Sequence, residues 1–414
     1  MIRAVCRRAH AVLRLGSSER ASRSVEQLVI QRAAWDLQGQ SQHLQPSELV
    51  HSNAIATDVT ELIGSTPLVA LHRVPGPDCK AARVLAKLEF ANPGDSVKDR
   101  IAKAMVEQAE NRGEIAPGRT TIVEATSGNT GIGLAMVCAA KGYKCIIIMP
   151  QVPSMKERYL ICRKFGAHVH LTAFAPGATA FVNMMDHMSA LLAQPDHWSP
   201  QQFSNRDNPQ CHIHTTGPEI WQQTGGNVDY FVAGAGTGGT MAGVGAYLKE
   251  QNSQLKNVLV EPTESRVLTG AFPDQHSIVG IGAGVPLPFI EALSAQQPWS
   301  DAPRGHVDEF ASATSEEAMA WADRLAAEEG MLVGPSAGAA CKVACQVAAR
   351  DEAAGKTVVV VFASSAVRYM THPLWASLTA EADIILAPPP DLSNDPPLLR
   401  WKSEEHTPLQ PSTE

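Results

Sequence analysis

Short β-rich runs alternate with helix-patterned stretches along most of this chain, and that rhythm admits few architectures. Residues 84–90 read as a strand, and a helix follows from about Lys98. Thr121–Ala125, then 131–141, then 144–149 form a strand–helix–strand unit. Strands at 230–233 and 257–260 flank a helix at 241–250. Thr314 and Glu317 make a capping box for a long helix reaching Glu329. Residues 356–362 are a nearly all-valine strand of the kind buried on both faces. Strands alternating with helices predict an α/β fold of mostly parallel sheets flanked by helices. With 414 residues, 44% of them hydrophobic, the chain is large enough for one unit of two such lobes. In these sheets ligands sit at the carboxyl ends of strands.

A formal charge of −8 gives no general attraction to nucleic acid or to an anionic membrane surface. No apolar run is long enough to span a bilayer. The eight cysteines are scattered and form no CxxC pair, so no metal site is expected, and buried reduced thiols are the plain account of them. The first 48 residues differ from the rest. Arg3, Arg7, Arg8, Arg14, Arg20 and Arg23 accompany several serines, and the first acid is Glu19. On a helical wheel Ile2, Val5, Ala9, Val12 and Leu13 share a face opposite Arg3, Arg7 and Arg14. Such a start is similar to a mitochondrial transit peptide more than a plastid one, with a solvated leader on a cytoplasmic protein as the alternative. Residues 388–414, rich in Pro, Ser and Asp, read as a disordered tail.

Four loops stand where strands hand over to helices. Gly234-Ala235-Gly236-Thr237-Gly238-Gly239-Thr240 follows a strand and opens a helix. Its glycines let backbone amides approach an anion, and the helix start adds positive potential. This reads as a phosphate cradle. Gly234, Gly236 and Gly239 also fit GxGxxG, and Glu261 ends the next strand where a dinucleotide site places its ribose acid. A nicotinamide or flavin oxidoreductase is therefore a rival reading, and a tight packing turn is the plain one. The second loop, Asn92 to Arg100, puts Lys98 at a helix start, where positive potential and desolvation favour a neutral amine able to attack an aldehyde. Taken alone, a surface lysine beside Asp99 and Arg100 is the commoner outcome. The third, Thr126-Ser127-Gly128-Asn129-Thr130-Gly131, offers amides and hydroxyls suited to a carboxylate, or simply a capped turn. The fourth, Gly334 to Gly338, presents Ser336 either to an aromatic nitrogen or as the N-cap of a helix starting near Ala339.

In this order the loops resemble the β-family, fold type II, of pyridoxal-phosphate enzymes, and cysteine synthases (O-acetylserine (thiol)-lyases) in particular. The likeness runs from about Glu61 to Trp375. It includes Ile63-Gly64-Ser65-Thr66-Pro67-Leu68, Ser96-Val97-Lys98-Asp99-Arg100, Gln202-Phe203-Ser204-Asn205 and Thr215-Thr216-Gly217-Pro218-Glu219-Ile220-Trp221. The resemblance implies pyridoxal phosphate as cofactor, covalently held by Lys98, which also moves the substrate's Cα proton. It implies Asn129 against the ring oxygen, Gly236, Thr237, Gly238, Gly239 and Thr240 around the phosphate, and Ser336 facing the pyridine nitrogen. Thr126, Ser127, Thr130, Gln202 and Gly282 would hold substrate. It further implies a large cofactor-binding domain (49–92 with 201–387), a small mobile one (93–200), a homodimer, and serine acetyltransferase as a partner. The expected reaction joins O-acetylserine and sulfide to give cysteine and acetate.

Gly280-Ile281-Gly282-Ala283-Gly284-Val285-Pro286 looks like the cysteine-synthase form of its loop, since cystathionine β-synthases place a tyrosine and an aspartate at Ala283 and Gly284. β-Cyanoalanine synthase shares nearly all these motifs, and a relative that keeps the pocket as a sensor without catalysis is a further alternative. Three segments depart from the pattern. Asp95 stands where Gly or Ser is usual, residues 149–158 are one residue longer than the usual segment, and Ser364-Ser365-Ala366-Val367-Arg368-Tyr369 lacks the usual Gly-Glu before Arg-Tyr.

Overall fold

The β-branched runs become buried strands and the small-residue runs become helices packed on them. The computed structural model describes residues 55–126, 128–173, 178–285, 287–290 and 307–386. The leader and tail assigned from sequence lie outside the described residues, as does Ser127. All described secondary structure falls in the compact unit that begins at Ala56.

In chain order the elements are strands β1 (Leu68–Ala70) and β2 (Arg83–Leu88), then helix α1 (Lys98–Asn111), β3 (Thr121–Ala125) and α2 (Asn129–Lys141). β4 (Lys144–Pro150), α3 (Lys156–Lys164), β5 (His168–Thr172), α4 (Ala178–Leu192) and β6 (His197–Trp198) follow. Next come α5 (Asp207–His214), α6 (Thr216–Gln223), β7 (Tyr230–Gly234), α7 (Gly239–Gln251) and β8 (Lys256–Pro262). β9 (Glu309–Ala313), α8 (Ser315–Glu329), α9 (Pro335–Ala348), β10 (Thr357–Phe362) and α10 (Ala376–Ile385) complete the described chain.

The strands form two sheets. One has six strands in the order β1-β2-β10-β7-β8-β9, the other four in the order β5-β4-β3-β6. Every pairing is parallel except that of β1 with β2. The mostly parallel α/β expectation holds in both sheets. β10 lies between β2 and β7 with all six residues buried, which its valine run requires. Two clusters built on alternate residues of β2, β7, β8 and β10 cover the six-stranded sheet. A third cluster packs α1 and α2 against β3 and β4.

The helix ends follow local chemistry. The capping box at Thr314 and Glu317 forms in full, and Gly330 closes α8 in the left-handed region at φ 73°. Ser336 is not an N-cap. Helix α9 starts at Pro335 with Gly334 as its cap, four residues earlier than Ala339 suggested, because proline suits a first helical position. No helix among the described residues is long and apolar enough to cross a membrane.

Candidate active site

The four loops meet at the carboxyl ends of β7 and β10. They enclose a cavity of about 590 Å³, part of it open to solvent. Lys98, Asn129, Gly236, Thr237, Gly238, Gly239, Thr240 and Ser336 all line it, together with Gly280 and Ser364. Every residue expected to bind the cofactor thus faces one space.

Lys98 is the first residue of α1. Its loop is stitched to the end of β10, where the Val97 amide donates to the Ala363 carbonyl at 2.9 Å and Ser96 bridges Ser364. The Ser96 hydroxyl oxygen accepts from the Lys98 amide at 3.2 Å. Burial lowers the Lys98 amine to about 8, and the nearby Cys211 acts weakly in the other direction. Roughly a tenth of the amine is therefore neutral at pH 7, far more than for an ordinary lysine.

The glycine-rich turn is shaped by what a side chain would strike. A Cβ on Gly236 would stand 2.5 Å from the Gly280 carbonyl oxygen and 3.9 Å from Lys98 Nζ. One on Gly239 would lie 1.9 Å from Asn208 Oδ1. Asn208, on α5, donates from Nδ2 to the Thr237 hydroxyl at 3.0 Å, and the Gly239 amide donates to that same oxygen at 3.4 Å. With two donors on its oxygen, the Thr237 hydroxyl keeps its proton for an anion at the start of α7. Thr240 meets His212 Nε2 at 3.2 Å, and the other ring nitrogen meets Thr216 at 2.9 Å. Burial lowers His212 to about 3, so it serves here as a neutral brace.

Beside Asn129 lies a second arrangement. The Thr130 hydroxyl donates to Gln202 Oε1 at 2.6 Å, which joins two of the expected substrate residues. The buried Glu124 carboxylate accepts from the Gln202 and Gln201 amides and from the Ser199 hydroxyl. Burial raises Glu124 to about 7 despite those donors. Thr126 is buried, and its hydroxyl oxygen accepts from the Gly128 amide at 3.2 Å. Thr126, Thr130 and Gln202 are not among the residues that line the cavity. Gly282 lines a smaller neighbouring cavity with Ala283 and Gly284.

A continuous polar layer lies under α1. Arg100 donates to both Glu89 and Glu219, Lys87 donates to Glu219 at 2.7 Å, and all four charges are buried. Two cations and two carboxylates balance.

The comparisons with known proteins agree with this geometry. Residues 59–364 match the family described as pyridoxal-phosphate dependent enzyme. A cysteine synthase of Staphylococcus aureus is 44% identical over 320 residues, covering 77% of this chain and 97% of that protein. The chain belongs to the pyridoxal-phosphate dependent enzymes of the cysteine synthase kind. A structure of O-acetyl serine sulfhydrylase isoform 3 from Entamoeba histolytica is 36% identical at TM-score 0.70, covering 78% of this chain and 93% of that one. An O-acetylserine dependent cystathionine beta-synthase from Helicobacter pylori is also 36% identical at TM-score 0.70, covering 78% and 99%. Membership of the pyridoxal-phosphate family sets aside the dinucleotide reading. Glu261, which that reading needed for a ribose, is buried, and its carboxylate accepts from the Leu268 amide at 2.8 Å.

The residues fit the family's cofactor. A lysine with a lowered pKa stands beside a glycine cradle, and the cradle ends at a helix start with a hydroxyl proton to spare. Sequence reasoning passed over Arg368 and Tyr369 as site residues. They carry the polar run that follows the apolar β10, which places them at the carboxyl end of a central strand. That position was the available signal.

Proposed function

We propose that this chain makes cysteine from O-acetylserine and sulfide, with pyridoxal phosphate held at Lys98. The observation that carries the reading is the Lys98 amine, lowered to about 8 and lining the same cavity as the glycine-rich cradle. Bound there, pyridoxal phosphate supplies an electron sink for charge that develops on the substrate α-carbon. Lys98 removes the Cα proton and later returns it. Thr237, Thr240 and the amides from Gly236 to Thr240 hold the phosphate. Ser336 gives the pyridine nitrogen a hydroxyl partner instead of a full charge, and Asn129 serves the ring oxygen. Thr126, Ser127, Thr130 and Gln202 take the substrate carboxylate, and the Thr130–Gln202 bond arranges two of them beforehand. Acetate leaves the β-carbon with its bonding pair, and sulfide forms the new carbon–sulfur bond.

The loop at Gly282, Ala283 and Gly284 is small and uncharged, so it offers no carboxylate to orient an amino-acid nucleophile. Specificity is a difference in transition-state binding, and one loop can set it. We therefore expect kcat/KM for O-acetylserine with sulfide to exceed that for serine with homocysteine. The measurement is a matrix of O-acetylserine, serine and cysteine against sulfide, cyanide and homocysteine. The Helicobacter pylori neighbour supports keeping O-acetylserine with homocysteine in that matrix. If either homocysteine pair is best, the protein is a cystathionine β-synthase. If cysteine with cyanide is best, it is a β-cyanoalanine synthase. No turnover with any pair favours the reading of a relative that keeps the pocket without catalysis.

We also propose, from the arginine-rich first 48 residues, a mitochondrial address. Fused to a reporter, that segment should carry it into mitochondria, and a cytosolic reporter overturns the idea. A homodimer is proposed on family grounds, and sedimentation as a monomer counts against it.

A further inference from the structure

Asn129 has an amide whose two ends look alike in shape and opposite in chemistry. Its Oδ1 accepts from Arg368 Nη1 at 2.8 Å, and its Nδ2 donates to the Tyr369 hydroxyl at 2.9 Å. The Tyr369 hydroxyl also pairs with Ser364 at 2.8 Å. A tyrosine hydroxyl both donates and accepts, so it tolerates either end of the amide. A guanidinium only donates, so Arg368 permits Oδ1 alone. The amide is thereby turned so that its remaining N–H is left for the cavity that Asn129 lines.

Arg368 does a second thing with the same fork. Its Nη2 donates to the Gly94 carbonyl, in the loop that leads into Lys98. Its side chain is 3% exposed, and a guanidinium buried that far needs a counter-charge. Asp95 supplies one, with Oδ2 3.7 Å from Nη2. Asp95 does so from the left-handed region at φ 58°, an uncommon conformation that a short polar side chain tolerates. The Asp95 carbonyl also accepts from the Ser365 amide at 3.3 Å. Two of the segments that depart from the family pattern, Asp95 and 364–369, therefore meet at one guanidinium.

We propose that Arg368, with Asp95 as its counter-charge, is a positioning residue that fixes the amide orientation of Asn129 and ties it to the Lys98 loop. Without it, Asn129 is free to present its carbonyl oxygen to the ring oxygen of the cofactor, where two acceptors repel. This rests on reading the cavity as a pyridoxal-phosphate site, and one control separates the two. Purified apo-protein is titrated with pyridoxal phosphate, following tryptophan fluorescence for affinity and the visible absorption band for the ring environment. If wild-type apo-protein takes up none, the cofactor reading fails. Given uptake by wild type, Arg368→Met should weaken binding about tenfold, as loss of a charged hydrogen bond would, and shift the band. Asn129→Ala should do the same, and the double variant should bind no more weakly than Asn129→Ala alone. Wild-type affinity and band position in Arg368→Met overturn the proposal, and so do losses that add in the double variant. Should Arg368→Met fail to fold, Arg368→Lys and Arg368→Gln decide by the same cycle. Lysine also only donates and can still hold Oδ1, so a weakened affinity and shifted band in Arg368→Lys support the proposal, and Arg368→Gln, whose amide can donate or accept, overturns it if band and affinity stay as in wild type.

Discussion

Replacing Lys98 by alanine is expected to yield a folded, colourless protein with activity down by at least about 10³-fold, because proton transfer by one positioned group is worth roughly 10²–10⁴ and the covalent hold is lost as well. The fold itself should gain. Burial lowers the Lys98 amine from 10.5 in the open chain to about 8. The unfolded state therefore binds the extra proton between those values, and the apo-protein loses stability as pH falls from 10.5 to 8. Below 8 that penalty is complete, about 3 kcal/mol at most, and Lys98→Ala removes it. In apo-protein melts the variant should exceed wild type near pH 7, with the gap closing as pH rises past 8. Cofactor uptake by wild type should show the reverse face of the same titration. Its rate should rise about tenfold per pH unit below 8 and level off above, because only the neutral amine attacks. A yellow Lys98→Ala protein that resists dialysis, or an uptake rate flat across pH 8, would count against the assignment.

The second large effect is expected at Gly236→Ala. The added methyl would sit 2.5 Å from the Gly280 carbonyl oxygen, and a backbone oxygen cannot swing away as a side-chain tip can. Either the turn or the Gly280 loop must shift by most of an ångström, within reach of Lys98 Nζ. Overpacking of this kind costs about 1–3 kcal/mol, which translates to roughly 5- to 150-fold in cofactor affinity if the strain falls on the bound state. Equilibrium dialysis against pyridoxal phosphate measures it, with apo-protein melting as the check on folding. Unchanged affinity would mean that the cradle is not where the phosphate sits.

The architecture was largely legible because its signals are local. The valines of β10, the capping box at Thr314 and the strand before Gly234 each announce themselves within a few residues. The cavity lining was legible because strand-to-helix loops carry the ligand in such sheets and the loops in this order resemble one family, whereas Lys98 or the glycines alone fit a surface lysine and a packing turn. Other parts were hidden. Strand β1 is three residues long and exists only by pairing with β2. Arg368 and Asn129 are far apart in sequence, and nothing local in either says that they share a hydrogen bond. Asp95 could be noted as unusual, but its left-handed backbone and its nearness to Arg368 belong to the tertiary structure. For Ser336 only the plain alternative of an N-cap failed, because the proline before it had already started the helix.

The balanced layer of Lys87, Glu89, Arg100 and Glu219 beneath α1 bears on how this protein can change over generations. Loss of one member strands a partner charge in the interior at a cost of about 3–5 kcal/mol, a large share of the roughly 5–15 kcal/mol that holds a typical domain together. Removing any single member is costly, whereas joint replacement of a buried ion pair by well-packed apolar residues is often neutral. The buried charges on and against α1, the helix that begins at Lys98, are thus locked against gradual drift. Variation that alters substrate preference is left to positions outside that layer such as Ala283, since its neighbours Gly282 and Gly284 hold φ of 68° and 72° and a Cβ on Gly282 would stand 2.5 Å from Pro262. One catalytic lysine can then serve a succession of donors and nucleophiles while the foundation under it stays the same.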